Sequence, residues 1–272
     1  MVNNDIIDIK SLIHSKNKSS KNWTNYNFLF NKVSRILGDK IPELGNQFNN
    51  ILLLSSDGGE ALDKILKISF KNLIFISPYR ELLKKKNIIT KDIFKVEATF
   101  ENIPCKNEKF DLIISNLCLH DMNDRKLHLK KLFQLLNKNG LFICNFFGEK
   151  TMYELKTCLF ATDEKFFNGT YMRMAPTLKM VEISDTLAEV GFKELVSEKI
   201  SFKIYYDHVK KIFEDLRGIG ENTVLINRKK SLMTNNYLKT LNAEYKKIFS
   251  DNYGLRLSCD IVSISCWKNA SR

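Results

Sequence analysis

The sequence predicts one large α/β domain built on a buried, mostly parallel sheet with helices on both faces. The first observation is that short, continuously apolar runs alternate with stretches of helical apolar spacing through the first two thirds of the chain. The second is the length, because 272 residues suit a single large domain. The third is a long helical stretch before one last apolar strand, which predicts a closing strand that runs against the parallel ones.

The strands and helices of the first part follow in order along the chain. Apolar runs bounded by polar turns predict strands at 50–55, 72–77, 94–97, 110–117 and 140–146. Apolar residues at helical spacing predict helices at 22–41, 59–68, 79–86, 125–137 and 150–160. This alternation is typical of strand–helix–strand units around a parallel sheet.

The last third breaks the alternation. Residues 184–206 predict a helix that ends at Gly191, followed by a strand. Residues of about 207–254 form a helical insertion, and 256–268 form the final strand. Residues 1–21 are mostly polar, so we expect a loose N-terminus and a single domain over 22–272.

Charge and cysteine content limit the classes of function. The formal net charge is +12, but the lysines are scattered along the chain instead of forming one patch, which argues against a nucleic-acid partner. No two cysteines form a CxxC pair, so a disulfide framework or a zinc site is not expected. The six cysteines, most of them in apolar runs, are predicted to be core thiols in a reducing compartment: Cys105, Cys118, Cys144, Cys158, Cys259 and Cys266.

No apolar stretch reaches the length of a membrane span, which leaves only peripheral association with a membrane open. The first twenty residues carry Asp5 and Asp8 and lack arginine, so they match neither a secretory signal nor an organellar presequence. We therefore expect an intracellular protein.

The turn after the first predicted strand reads Ser55-Ser56-Asp57-Gly58-Gly59. In sheets of this kind, ligands bind beyond the carboxyl ends of the strands, so this loop is a candidate cofactor cradle. An alternative stays open, in which the loop is a polar turn and Ser56 or Asp57 caps the helix that follows.

Other polar residues near strand ends have two interpretations each. His120 is a weak candidate for a general base, since a histidine near a strand end is more often a packed or surface residue. Asp121, Asp124 and Glu149 could join a metal site, but no spacing of two histidines and a carboxylate supports iron, so we predict none. Arg217 could bind a carboxylate. It could also be a cation at the end of a helix, with Gly218 after it as the C-cap.

Residues 110–148 resemble the class I S-adenosylmethionine (AdoMet)-dependent methyltransferases. A strand that starts with Phe-Asp at Asp111 is followed by a helix and then by the turn 138–140, Lys-Asn-Gly, where Lys-Pro-Gly is common. The resemblance implies a Rossmann-like fold with seven strands, the last of them antiparallel.

Four further segments, 115–124, 146–156, 213–223 and 253–268, resemble a narrower group. This is the group of NADH:ubiquinone oxidoreductase complex I assembly factor 5 and its alphaproteobacterial relatives, often labelled malonyl-carrier-protein methyltransferase-like. The match extends from about residue 23 to residue 267. It implies a complex I subunit as partner, hydroxylation of an arginine on it, and a location in the mitochondrial matrix or bacterial cytoplasm.

The resemblance also assigns the positions that hold AdoMet. The family's first-strand motif, Leu-Asp-Leu-Gly-Cys-Gly-x-Gly, aligns with residues 52–59. Leu53 stands at the acidic position, Ser55 and Asp57 replace glycines, and Gly59, next to Gly58, stays in register. A carboxylate at 57 adds bulk and negative charge beside the place of the ligand's own carboxylate.

The other assigned positions are also altered. Ser77 stands where an acid takes the ribose hydroxyls, and Thr99 where an Asp faces adenine, although Glu97 or Glu101 could substitute; Asn116 ends the fourth strand. Losing two or three hydrogen bonds to charged groups, each about 1.5–3 kcal/mol, raises Kd by a factor of thousands. We therefore predict a degraded AdoMet site with reduced or lost catalysis. The alternative is an active AdoMet-dependent methyltransferase on a small molecule or acyl-carrier protein.

Overall fold

A computed structural model describes residues 5–45, 47–87, 91–222, 224–228 and 233–268. The helices are α1 (Ile9–Ser19), α2 (Phe28–Leu44), α3 (Glu60–Ile65), α4 (Arg80–Leu83), α5 (Arg125–Leu135), α6 (Tyr153–Phe167), α7 (Met180–Val190), α8 (Val209–Gly218) and α9 (Asn235–Phe249). The strands are β1 (Gln47–Ser55), β2 (Ser69–Ser77), β3 (Ile93–Glu97), β4 (Phe110–Asn116), β5 (Leu136–Phe147), β6 (Phe192–Tyr206), β7 (Ser250–Asp251) and β8 (Gly254–Lys268).

Seven strands form one sheet in the order β3-β2-β1-β4-β5-β8-β6, and the two-residue β7 pairs with β8. β1 is parallel to β2 and β4, while β8 is antiparallel to both β5 and β6. The mostly parallel seven-stranded sheet with an antiparallel last strand is therefore confirmed. Strand order reverses at β1, so its carboxyl end and that of β4 lie at the switch point of the sheet.

Apolar residues bury both faces of the sheet. Leu53 and Ile114 point to the side that α2 and α3 cover, and Leu54 and Ile113 point to the opposite side. The alternation reflects the period of two along a strand, and the continuous apolar runs reflect burial on both faces. All six cysteines are free thiols, and five of them are buried, as predicted.

The helical insertion packs at the carboxyl edge of the sheet. Helices α8 and α9 share a third apolar cluster with α6 and the start of β8, including Leu155, Ile212, Leu241 and Leu257. Because β6 and β5 both end at this edge, the insertion forms a cap over it. Among the described residues, none of the helices has both the length and the apolar character that crossing a bilayer requires.

The expectation of a loose segment at 1–21 is wrong for residues 9–19, which form α1. Asp8 caps this helix by accepting the N–H of Ser11 at 3.0 Å, and Leu12 and Lys16 are buried against the body of the domain. The sequence gives only a weak helical pattern here, because only one turn of the helix is strongly apolar. Residues 1–4 lie outside the described part.

Candidate functional site

Carboxylates of the chain itself accept the backbone N–H groups of the β1–α3 loop, residues 56–59. Asp57 accepts the N–H of Gly59 at 2.9 Å and of Ala61 at 3.0 Å, at the start of the short helix α3. Glu60 accepts the N–H of Gly58 at 2.8 Å and the indole N–H of Trp23 at 2.7 Å. The N-cap residue of α3 is Gly59, not Ser56 or Asp57, although the Asp57 side chain does accept an N–H of the first helical turn. The N–H groups of Gly58, Gly59 and Ala61 are thus already hydrogen-bonded.

Burial raises the pKa of the Asp57 carboxyl to about 7, and the adjacent Glu60 carboxylate adds to the effect. Trp23 closes the loop from outside, since a Cβ built on Gly58 would lie 2.7 Å from its indole nitrogen. Gly59 has a φ of +108°, which a residue with a side chain adopts only under strain.

The predicted cofactor residues take different positions around this loop. The amide of Asn116 donates to Asp57 at 3.2 Å and to Ser55 at 3.3 Å, so the structure brings these three side chains together. Ser77 Oγ accepts the N–H of Tyr79 at 3.3 Å, and Thr99 is exposed beside a small cavity of about 20 Å³. Ser55, Ser56, Asp57, Ser77 and Asn116 are fully buried.

Of the two glutamates that could replace Thr99, Glu101 lines the same small cavity, and Glu97 is not among its lining residues. Glu97 is exposed and lies 3.5 Å from Arg80, and Glu101 accepts the N–H of Asn123 at 3.1 Å. Both carboxylates are thus engaged at the surface.

A larger cavity of about 230 Å³ lies beside the loop, between the sheet edge and the helical cap. Its walls are mainly apolar and come from α1, α6, α8 and the segment 174–178. Representative wall residues are Leu12, Phe147, Met174, Leu178, Phe213 and Ile219.

Charged groups meet at the floor of this cavity in what we call the floor cluster: His120, Asp121, Glu221 and Lys16. His120 Nε2 lies 3.4 Å from Glu221 Oε1 and 3.5 Å from Asp121 Oδ1. Lys16, fully buried, forms an ion pair with Glu221. The cluster joins α1, the turn after β4 and the insertion.

Neighbouring hydroxyls hold Asp121 in place. Its Oδ2 accepts from Ser56 at 2.9 Å and from the Tyr79 hydroxyl at 2.7 Å. Burial and the Asp121 charge raise the pKa of Tyr79 well above its usual value, so its hydroxyl stays a donor. Ser56 therefore links the β1–α3 loop to the cavity instead of capping α3.

The charges of the floor cluster shift the pKa values of His120 and Glu221. Burial alone would lower the pKa of His120, but the Asp121 and Glu221 carboxylates outweigh it and raise that pKa. Burial likewise opposes the charge of Glu221, yet the Lys16 ammonium and His120 hold its pKa far below the usual range. The cluster is thus a set of mutually stabilised charges that faces an apolar cavity.

The remaining sequence candidates lie apart from the floor cluster. Asp124 caps α5 by accepting the N–H of Leu127 at 2.9 Å, and Glu149 is exposed in a turn. Arg217 lines the cavity, but its Nε donates to a carbonyl of its own helix at 3.2 Å. The helix includes Gly218, so the predicted C-cap is wrong by one residue; Ile219 takes that place.

Sequence reasoning missed Lys16, Tyr79 and Glu221 as site residues. Glu221 stands directly after the Arg-Gly-Ile-Gly segment that drew attention to Arg217. Its partners are 101 and 205 residues away in the chain, so no local spacing signals them.

Comparison with known proteins agrees with this fold. Residues 58–144 match a family described as "Methyltransferase domain". The chain is 25% identical over 244 residues to arginine-hydroxylase NDUFAF5, mitochondrial, of Homo sapiens, covering 87% of this chain and 70% of that protein. It is 20% identical over 273 residues to malonyl-[acyl-carrier protein] O-methyltransferase of Xylella fastidiosa (strain M23), covering 98% and 90%.

Among solved structures, the YcgJ protein from Bacillus subtilis superposes with a TM-score of 0.60 at 11% identity, covering 88% of this chain and 99% of that one. A likeness at this identity shows the fold alone.

Proposed function

Because this chain has the class I AdoMet-dependent methyltransferase fold and resembles the arginine-hydroxylase proteins over most of its length, we propose that it is an assembly factor for respiratory complex I. In this proposal its AdoMet site is degraded, and the cavity beside that site receives an arginine side chain of a complex I subunit. The protein acts inside the cell, in a mitochondrial matrix or a bacterial cytoplasm.

The observation that carries the proposal is the form of the 230 Å³ cavity. Its apolar walls suit the methylene stem of an arginine, and two carboxylates, Asp121 and Glu221, stand at its floor. A planar guanidinium presents five donors in a fixed fork, which matches carboxylate oxygens. Asp121 Oδ1 lies 3.5 Å from His120 Nε2, which is longer than a normal hydrogen bond, so acceptor capacity is left at the floor.

The residues of the β1–α3 loop do not fit AdoMet. The N–H groups of Gly58 and Gly59 are hydrogen-bonded to Glu60 and Asp57, and the large cavity does not include the loop. An Asp57 carboxylate would also face the carboxylate of the ligand. We therefore derive no step of the reaction through AdoMet, and we propose that catalysis through it is reduced or lost.

Calorimetric titration of the purified full chain with AdoMet tests the degraded site. We expect no measurable heat of binding up to millimolar ligand, because the loop donors are occupied. The matched variant Asp57→Gly frees the N–H groups of Gly59 and Ala61 and is expected to bind more tightly than the native chain. Micromolar binding by the native chain would contradict the degraded site.

Affinity capture from the native cells tests the assembly role. We expect NADH dehydrogenase subunits to be enriched on the native chain and lost from Glu221→Gln, which removes one floor carboxylate. The control Glu214→Gln changes an exposed glutamate of α8 and is expected to retain them. Failure to enrich any such subunit on the native chain would count against the role.

An active AdoMet-dependent methyltransferase acting on a small molecule or an acyl-carrier protein is the second candidate. It is supported by the likeness to the malonyl-[acyl-carrier protein] O-methyltransferases. The same titration decides between the two, since only this candidate requires AdoMet to bind.

A further inference from the structure

We propose that His120, Asp121 and Glu221 form a binding site for one divalent first-row transition-metal ion at the floor of the cavity. The sequence predicted no metal site, because it offered only residues close together in the chain. Within the described residues, this is the one group of three such side chains whose ligand atoms all lie within 4.8 Å of one another. The ion would take the carboxylate oxygens that the proposed function offers to a guanidinium, so the two ligands exclude each other at these oxygens, and the metal site is tested without the assembly role.

The spacing of the donor atoms suits a metal. Bonds of about 2.0–2.2 Å at tetrahedral or octahedral angles place neighbouring ligand atoms about 3.0–3.5 Å apart. His120 Nε2 lies 3.4 Å from Glu221 Oε1 and 3.5 Å from Asp121 Oδ1. One imidazole with two carboxylates is a donor set that iron(II), manganese(II), cobalt(II) and zinc(II) accept.

His120 Nε2 is held by long contacts and not by a short hydrogen bond, which leaves its lone pair available to an ion. This atom faces the carboxylates at distances longer than the usual 2.7–3.2 Å of an N–H···O bond. The ring itself is held against Phe147, with centroids 5.3 Å apart, so Nε2 stays aimed at both oxygens.

The surroundings provide support and room. Ser56 and Tyr79 fix Asp121 through its other oxygen, as second-sphere hydrogen bonds do for carboxylate ligands of metals. The floor cluster opens on the 230 Å³ cavity, which leaves space for further ligands such as water. Three protein ligands with open positions is the arrangement of a catalytic metal site, not of a structural one.

Lys16 is the main competitor for the ion. Its ammonium pairs with the same Glu221 oxygen that His120 faces and balances one of the two carboxylate charges. A metal ion displaces the proton of His120, so one negative charge is then left in the cluster. A bound dication compensates that charge. Because Lys16 repels the ion, removing its charge should strengthen binding.

The test is titration of the untagged full chain with Co²⁺, followed by calorimetry and by the visible absorption of the ion. We expect one Co²⁺ per chain with a Kd in the micromolar range. Glu221→Gln and His120→Phe are each expected to weaken binding by about 100-fold or more. Lys16→Gln is expected to strengthen it by about tenfold.

The control Asp215→Asn alters a carboxylate that lines the same cavity but bonds to Tyr206 at 2.9 Å, and it should bind Co²⁺ as the native chain does. If Glu221→Gln does not fold, two measurements replace it. They are the binding of Co²⁺ by Glu221→Asp and the rise in Tm that Co²⁺ causes in the native chain. A native chain that binds no Co²⁺ at micromolar concentrations, or variants that bind it equally well, would overturn the site. Affinity capture of NADH dehydrogenase subunits, repeated with protein that a chelator has freed of metal, tests the assembly role separately from the metal site.

Discussion

Replacing Asp163 with alanine is expected to lower the free energy of unfolding by about 3–5 kcal/mol, because it leaves a largely buried guanidinium without its carboxylate. The side chain of Asp163 is fully buried in α6. It accepts from Arg173 Nε at 2.8 Å and from the second guanidinium nitrogen at 2.6 Å. The Tyr237 hydroxyl of α9 donates to it at 2.7 Å.

This one carboxylate therefore ties α6 to α9 and to the segment that forms one wall of the cavity. Burial opposes its charge, but the bonds from Arg173 and Tyr237 prevail and lower the pKa of Asp163. The measurement is urea unfolding at neutral pH, followed by circular dichroism. The neighbouring Glu164→Ala, at an exposed position, should change stability by less than about 0.5 kcal/mol. Equal losses in the two variants would contradict the assignment.

Lowering the pH from 6.5 to 4 is expected to cost about 3 kcal/mol of stability through His128 alone. This residue of α5 is 2% exposed, and neither ring nitrogen has a hydrogen-bond partner within the described part of the chain. Burial lowers its pKa to about 4, and a nearby backbone group of Phe100 offsets this only in part. As the pH falls, the unfolded chain takes up the proton first, so the contribution is complete above 6.5 and is lost toward 4.

His128→Leu places an apolar side chain of similar size in the core and removes the titrating group. Its stability should therefore fall less steeply between pH 6.5 and 4 than that of the native chain. His14→Gln replaces an exposed histidine of α1 and should leave the native pH dependence unchanged. Parallel curves for the native chain and His128→Leu would show that the buried imidazole does not set the acid limit.

The sheet could be predicted because its strands carry their own signal. The runs at 50–55 and 110–117 are apolar on both faces, and Gly191 adopts the positive φ that ends α7. These features depend on neighbours in the chain.

The parts that were missed depend on distant partners. Lys16 lies inside the protein because Glu221 pairs with it and because its ammonium lies over the rings of Phe30 and Tyr79. The sequence alone therefore predicts a loose terminus where α1 lies. The floor cluster is likewise divided between the turn after β4 and the insertion, so no motif contains it.

The attachment of α1 has a consequence for the order of folding during synthesis. Asp8 donates its N–H to Val224 at 2.7 Å, Ile7 pairs with Leu225, and Lys16 binds Glu221. A ribosome delivers the first helix long before these partners, so it cannot dock through them while the parallel strands are being made. The cavity floor and the helix beside it thus form together, after residue 225 has emerged, and late contacts of this span slow the final step of folding.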